Sequence, residues 1–130
     1  MKKVRNKFPR SLSLKSRKDI GDLFSNPEFK LNLYPFLFLA KRIEGDVQGN
    51  RYLFSVSKRN FKKAVQRNRI KRMLREKFRL EFISRIQEQH ASVHSSWNLA
   101  IVYIGREETQ SPELSKSVNK CFNEFAKRTF

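Results

Sequence analysis

The chain has 130 residues, 38% of them hydrophobic and 12 of them phenylalanine, which suffices for one domain with a modest core and excludes a disordered polycation. Its 29 lysines and arginines against 12 aspartates and glutamates give a net charge of +17, a field that draws in polyanions, with nucleic acid the leading partner and an anionic membrane surface second. A single cysteine excludes an internal disulfide and a cysteine-based zinc cluster, and no stretch approaches the roughly 20 apolar residues that span a bilayer.

Residues 1–11 read as a flexible basic arm, and 12–130 as the folded domain. No apolar run of signal-peptide length follows the basic start, so a soluble cytoplasmic protein is expected. From Ser16 a short helix is predicted, with Ile20, Leu23 and Phe24 on one face and Asn26-Pro27 stopping it. Residues 33–43 read as one strand with Pro35 near its start or at an edge. After the turn residues Glu44-Gly45-Asp46 and Gly49-Asn50, a second strand from Arg51 to Ser57 alternates Tyr52, Phe54 and Val56 against Leu53, Ser55 and Ser57. A long helix is predicted from about Lys63 to Gln89, and a central strand covered on both faces from Trp97 to Ile104. Ser111-Pro112 opens a last helix with Leu114, Val118, Cys121, Phe122 and Phe125 on one stripe, where Cys121 is read as an inert core thiol. The order is α-β-β-α-β-α, with an optional third strand before the long helix (α-β-β-(β)-α-β-α), in a single α+β domain with three helices on a mixed sheet. For Phe36 and Phe38, core packing is favoured over base stacking, because they alternate with Leu37 and Leu39 and at least one set must face inward.

The positive charge is clustered. Residues 1–18 carry eight basic residues and no acid, and 58–79 carry eleven with only Glu76 among them, whereas 107–113 is acidic. On a wheel of about 100° per residue, Ile70, Met73, Leu74 and Phe78 share one side of the long helix. Asn68, Arg72, Arg75 and Arg79 gather opposite, flanked by Arg67, Arg69 and Lys71. One side docks on the domain and the other presents guanidinium groups, whose forked donors match phosphate oxygens, with an amide that both donates and accepts. With almost no acids to form i,i+4 pairs, the face is left self-repelling unless phosphates bind it.

Ser55-Val56-Ser57-Lys58-Arg59, followed by Lys63-Ala64-Val65-Gln66-Arg67-Asn68-Arg69-Ile70-Lys71-Arg72-Met73-Leu74-Arg75-Glu76, closely resembles the signature of bacterial ribonuclease P proteins. More loosely the resemblance runs through residues 12–128. It implies a protein that assists a catalytic RNA in Mg2+-dependent removal of the 5′ leader from precursor tRNA. It also implies a left-handed β-α-β crossover through the long helix. Lys58, Arg59, Arg67, Asn68, Arg69, Lys71, Arg72 and Arg75 would then contact the catalytic RNA, near any Mg2+ close to Asn68, with Lys62, Lys63 and Arg79 extending that surface. Ile20, Phe24 and Leu39 map onto a cleft for the single-stranded leader. Relatives often carry aromatics where this chain has Ile20 and Leu39, so base stacking there is reduced.

The polypeptide does not read as catalytic. Asp19, Asp22, Asp46, Glu107 and Glu108 are dispersed, no glycine-rich phosphate loop occurs, and His90 and His94, four apart, lack the third ligand of a zinc site and read as solvated. A ribosomal or ribosome-associated RNA-binding module is the alternative, sharing the charge and size without requiring the signature. DNA binding is not expected, since neither a helix-turn-helix nor dimerising heptads are present, and membrane binding would need the apolar residues that the core uses.

Overall fold

The computed structural model describes residues 10–43, 49–89, 96–109 and 111–129. A 3-10 turn, Arg10–Leu12, leads to Leu14, whose N–H donates to the Tyr52 carbonyl at 2.8 Å. Helix α1 (Arg17–Ser25) is capped by Ser16, whose Oγ accepts from the Asp19 N–H, and it ends at Asn26 ahead of Pro27. Strands β1 (Phe29–Leu33) and β2 (Phe36–Ile43) form a hairpin, and β3 (Arg51–Val56) follows. A continuous helical rod then comprises α2 (Ala64–Phe78), a π-helical segment (Arg79–Ile83) and α3 (Ser84–Gln89). Strand β4 (Ser96–Tyr103) and helix α4 (Ser111–Thr129) complete the fold. His90, His94 and most of the basic arm lie outside the described residues.

The sheet order is β1-β2-β4-β3, antiparallel except for the parallel pair β3 and β4. That parallel pair is joined through the helical rod, and β4 is central and almost wholly buried, as its nearly continuous apolar run predicts. One sheet face carries Phe36, Phe38, Tyr52, Phe54, Leu99 and Ile101 against the rod and α4. The other carries Leu39 and Ala100 against Leu14 of the N-terminal segment and Leu23 of α1. Phe36 and Phe38 are fully buried, so both belong to the core. Cys121 is fully buried too, and burial pushes its thiol well up, which makes it the inert core residue expected.

Two elements differ from the sequence reading. The single strand expected over 33–43 is split, because Tyr34-Pro35 forms the hairpin turn rather than a strand start. The alternating segment Phe29-Lys30-Leu31-Asn32-Leu33 is a strand of its own, with Leu31 and Leu33 inward. The long helix is also not uniformly α-helical. A π turn closes i to i+5, so it brings Ile83 back over Phe78, and both are buried along with Phe82. A constant 100° step places Ile83 on the outside.

Candidate nucleic-acid interface

The C-terminal ends of β3 and β4, the β1–β2 turn and the start of α2 meet at one end of the sheet. There the segment between β3 and α2 is pinned from several sides. The Phe61 ring is buried against Tyr103, and its N–H donates to the Ser57 carbonyl at 3.1 Å. The Asn60 amide donates to the carbonyls of Ile104 and Gly105 at 3.3 and 3.4 Å. Lys58, Arg59, Lys62 and Lys63 are thereby held exposed on a fixed backbone. Helix α2 begins at Lys63 with no side-chain cap and no acid in its first turn, so its positive end is uncompensated.

Along α2, Ile70, Leu74 and Phe78 are fully buried, while Asn68, Arg69, Arg72 and Arg75 face outward. The cations of this face are not equivalent. Arg67 points back, its Nη1 donating to the carbonyls of Phe61 and Lys62 at 2.9 and 2.8 Å. It ties the preceding loop to the helix. Arg69 is paired with Glu108 of the β4–α4 loop, its Nε donating to Oε1 at 3.0 Å, and that hydrogen bond raises the guanidinium pKa above its ordinary value. Arg75 lies over the Phe54 ring at 5.9 Å. Asn68, Lys71 and Arg72 have no side-chain hydrogen bond or ion pair among the described residues. Arg79 is set apart: it opens the π segment, its side chain is only 19% exposed, and it pairs with Glu76 at 2.7 Å. Glu76, the one acid expected within 58–79, is therefore taken up by Arg79, and Glu108, from outside that stretch, by Arg69. Beside Arg69 lies a shallow recess of about 450 Å³ lined by Lys62, Lys63, Val65 and Gln66.

The loop carrying Glu108 is built around Tyr103. The Tyr103 hydroxyl donates to the Glu107 carbonyl, accepts from the Thr109 N–H at 2.9 Å and meets the Thr109 hydroxyl. Gly105 donates to the Pro35 carbonyl at 3.1 Å, and a Cβ there would stand 3.0 Å from Tyr103 Cε1 and 3.2 Å from Pro35 Cβ. Both neighbours are tied by these bonds, so the few tenths of an ångström that a methyl group needs must be taken against them. Gly105→Ala is expected to cost about 1–3 kcal/mol by overpacking, read as a lowered denaturant midpoint. A neutral result would mean that this end of the sheet is looser than its hydrogen bonds imply.

On the opposite sheet face, the three residues mapped to a cleft take different places. Leu39 is only 5% exposed, beneath α1; Ile20 is half-buried beside it; Phe24 is 45% exposed. Helix α1 covers the cross-strand row Leu39–Ala100–Leu53, and the adjacent row Leu37–Val102–Ser55, nearer Lys58, is half-buried and open. The half-buried row Leu37, Ser55 and Val102 is not singled out by the sequence, although strict alternation with Phe36, Phe38 and Phe54 places Leu37 and Ser55 on the α1 side of the sheet. It noted the acidic stretch around Glu108 but not its partner, because nothing local connects positions 39 residues apart.

This geometry has relatives. The model of the Ribonuclease P family matches residues 8–126. The ribonuclease P protein component of Marinomonas sp. (strain MWYL1) is 32% identical over 124 residues, covering 93% of this chain and 84% of the relative. That of Pseudomonas aeruginosa is 28% identical over 120 residues, covering 92% and 81%. Among solved structures, the Staphylococcus aureus RNase P protein superposes with a TM-score of 0.67 at 18% identity, covering 92% of this chain and 98% of that one. The Thermotoga maritima RNase P protein gives 0.52 at 18% identity, covering 90% and 94%. At that identity the solved structures speak for the fold, whereas the family model and the curated sequences span the whole domain with its Lys58–Glu76 signature. The chain belongs to the ribonuclease P protein family, the protein subunits of the ribonucleoprotein endoribonuclease that processes tRNA.

Proposed function

We propose that the outer face of α2, with the turn before it, binds the catalytic RNA of ribonuclease P, and that the α1 side of the sheet takes the 5′ leader of precursor tRNA. The observation that carries this reading is the division of α2 itself. Ile70, Leu74 and Phe78 are buried in the core, and among the described residues Asn68, Lys71 and Arg72 make no side-chain hydrogen bond or ion pair, on the helix that follows the exposed Lys58, Arg59, Lys62 and Lys63. Cations held apart without acids suit a phosphate backbone, whose binding releases counterions. For the leader, the half-buried row Leu37–Val102–Ser55 offers a partly apolar floor on the sheet face that α1 packs on, and α1 carries Phe24, the one exposed aromatic ring mapped to the cleft.

No group of three or more His, Cys, Asp or Glu able to hold a metal exists among the described residues. Asn68 supplies one amide oxygen amid guanidinium groups, and Mg2+ demands an octahedron of hard oxygens. The residues do not fit a protein-held Mg2+, so the ion is assigned to the RNA, and the protein acts by binding and orienting RNA in the cytoplasm. The test is a cleavage assay with the cognate catalytic RNA and precursor tRNA. Adding the protein is expected to raise cleavage at low Mg2+, and absence of any gain overturns the reading.

A further inference from the structure

The Arg69–Glu108 pair is out of place on a surface that binds phosphate. Among the described residues, Arg69 is the cation of the α2 face that meets a carboxylate from another element. Both Nε and Nη2 donate to the same oxygen, Glu108 Oε1, so the Nε–Nη2 edge, one of those that could grip a phosphate, is already occupied. Glu108 does not arrive there by chance of a loose loop. Its neighbours Glu107 and Thr109 are held through the Tyr103 hydroxyl, and Gly105 is held by Pro35 and Asn60. The recess lined by Lys62, Lys63 and Gln66 opens beside the same guanidinium, which supplies further positive charge for an anion that takes the place of the carboxylate.

We propose that Glu108 is an internal competitor for RNA phosphate: in the free protein it occupies Arg69, and an RNA phosphate displaces it on binding. The inference rests on the RNA-binding reading of α2 and adds its regulation. Glu108 holds the affinity of the face below what its cations permit, and it does so at one named contact rather than through net charge. Any RNA, whatever its sequence, meets this competition, because the displaced partner is a phosphate contact and carries no base information.

The experiment is a double-mutant cycle on the full chain with Glu108→Gln, Arg69→Gln and both together. A single-stranded homopolymer RNA and the catalytic RNA serve as separate ligands, and thermal unfolding of each variant is followed alongside. Glu108→Gln removes the charge and keeps the shape. Since the pair is largely exposed, an affinity gain of about two- to five-fold is expected for both RNAs. Arg69→Gln is expected to weaken binding, and Glu108→Gln is expected to do nothing once Arg69 is gone. No gain from Glu108→Gln overturns the proposal. So does a gain that persists in the Arg69→Gln background, which would mark a diffuse field effect. If the catalytic RNA shows no stimulated cleavage while the homopolymer cycle couples as stated, the functional reading fails and the competition at Arg69 stands.

Discussion

Phe82→Ala is expected to destabilise the protein by about 3–5 kcal/mol, among the largest losses any single substitution here should cause. Phe82 is fully buried in the π segment, and its ring meets those of Phe38, Tyr52, Phe78, Phe122 and Phe125 at centroid distances of 5.3 to 6.2 Å. It thus joins β2, β3, α2 and α4 in one contact. Truncation leaves a cavity that five rings on four separate elements cannot jointly fill. Domains of this size are stable by roughly 5–15 kcal/mol in total, so the variant stands near the edge of folding. Denaturant titration reads the loss as a lowered midpoint with an unchanged slope. Phe24→Ala is the comparison, because that ring is 45% exposed and should cost little. Equal losses for the two would show that the hub is not where the rings converge.

The same two phenylalanines show how much of the fold was legible in the sequence. The alternation of Tyr52, Phe54 and Val56, the nearly continuous run of β4 and the stripe of α4 each followed from which faces of a strand or helix are buried. Ser16 and Asn26-Pro27 bounded α1 for equally local reasons. What was not legible depended on the third dimension. Pro35 was compatible with a strand start or a turn, and only the pairing of Phe29–Leu33 with Phe36–Ala40 decides between them. The π segment could not be read because the wheel assumes the step it violates. Within that segment Phe82 and Ile83 are both buried, together with Phe78 before it.

The candidate site divides in the same way. The outward set on α2 was visible from its spacing, since burial of Ile70, Leu74 and Phe78 fixes where Asn68 and Arg72 must point. The partners of Arg67, Arg69 and Arg79 were not, because a sequence of cations does not say which are already engaged. Likewise Leu39 belongs by resemblance to a cleft, yet α1 lies on it, and the half-buried row Leu37–Val102–Ser55 lies two residues further along the strands. Contacts between elements distinguish a free guanidinium from an occupied one, and they are absent from any local pattern.

That distinction yields the second large effect, a separation between two arginines that the sequence treats alike. Arg72→Ala is expected to leave stability nearly unchanged and to weaken RNA binding, lowering the log–log salt slope by roughly 0.7–0.9 for the one phosphate contact removed. Arg67→Ala is expected to act differently. Its guanidinium satisfies the carbonyls of Phe61 and Lys62, so its loss removes one of the ties that hold the turn carrying Lys58, Arg59, Lys62 and Lys63, and loosens it. Two carbonyls lose a charged donor, and by the usual worth of such bonds the protein should lose about 1–3 kcal/mol. RNA affinity should fall by more than one contact explains, because several cations lose their fixed positions together. Replacing Arg67, Arg69 and Arg72 together with Ala is expected to abolish the gain in cleavage at low Mg2+. Arg67→Lys tests the mechanism further: a lysine keeps the charge but lacks the planar fork, so the loop bonds should be only partly restored. The measurements are denaturant midpoints and salt-dependent binding for each variant. If Arg67→Ala and Arg72→Ala lower the salt slope equally and neither shifts the midpoint, Arg67 is simply another phosphate contact, and its bonds to the loop carry no weight in holding the face.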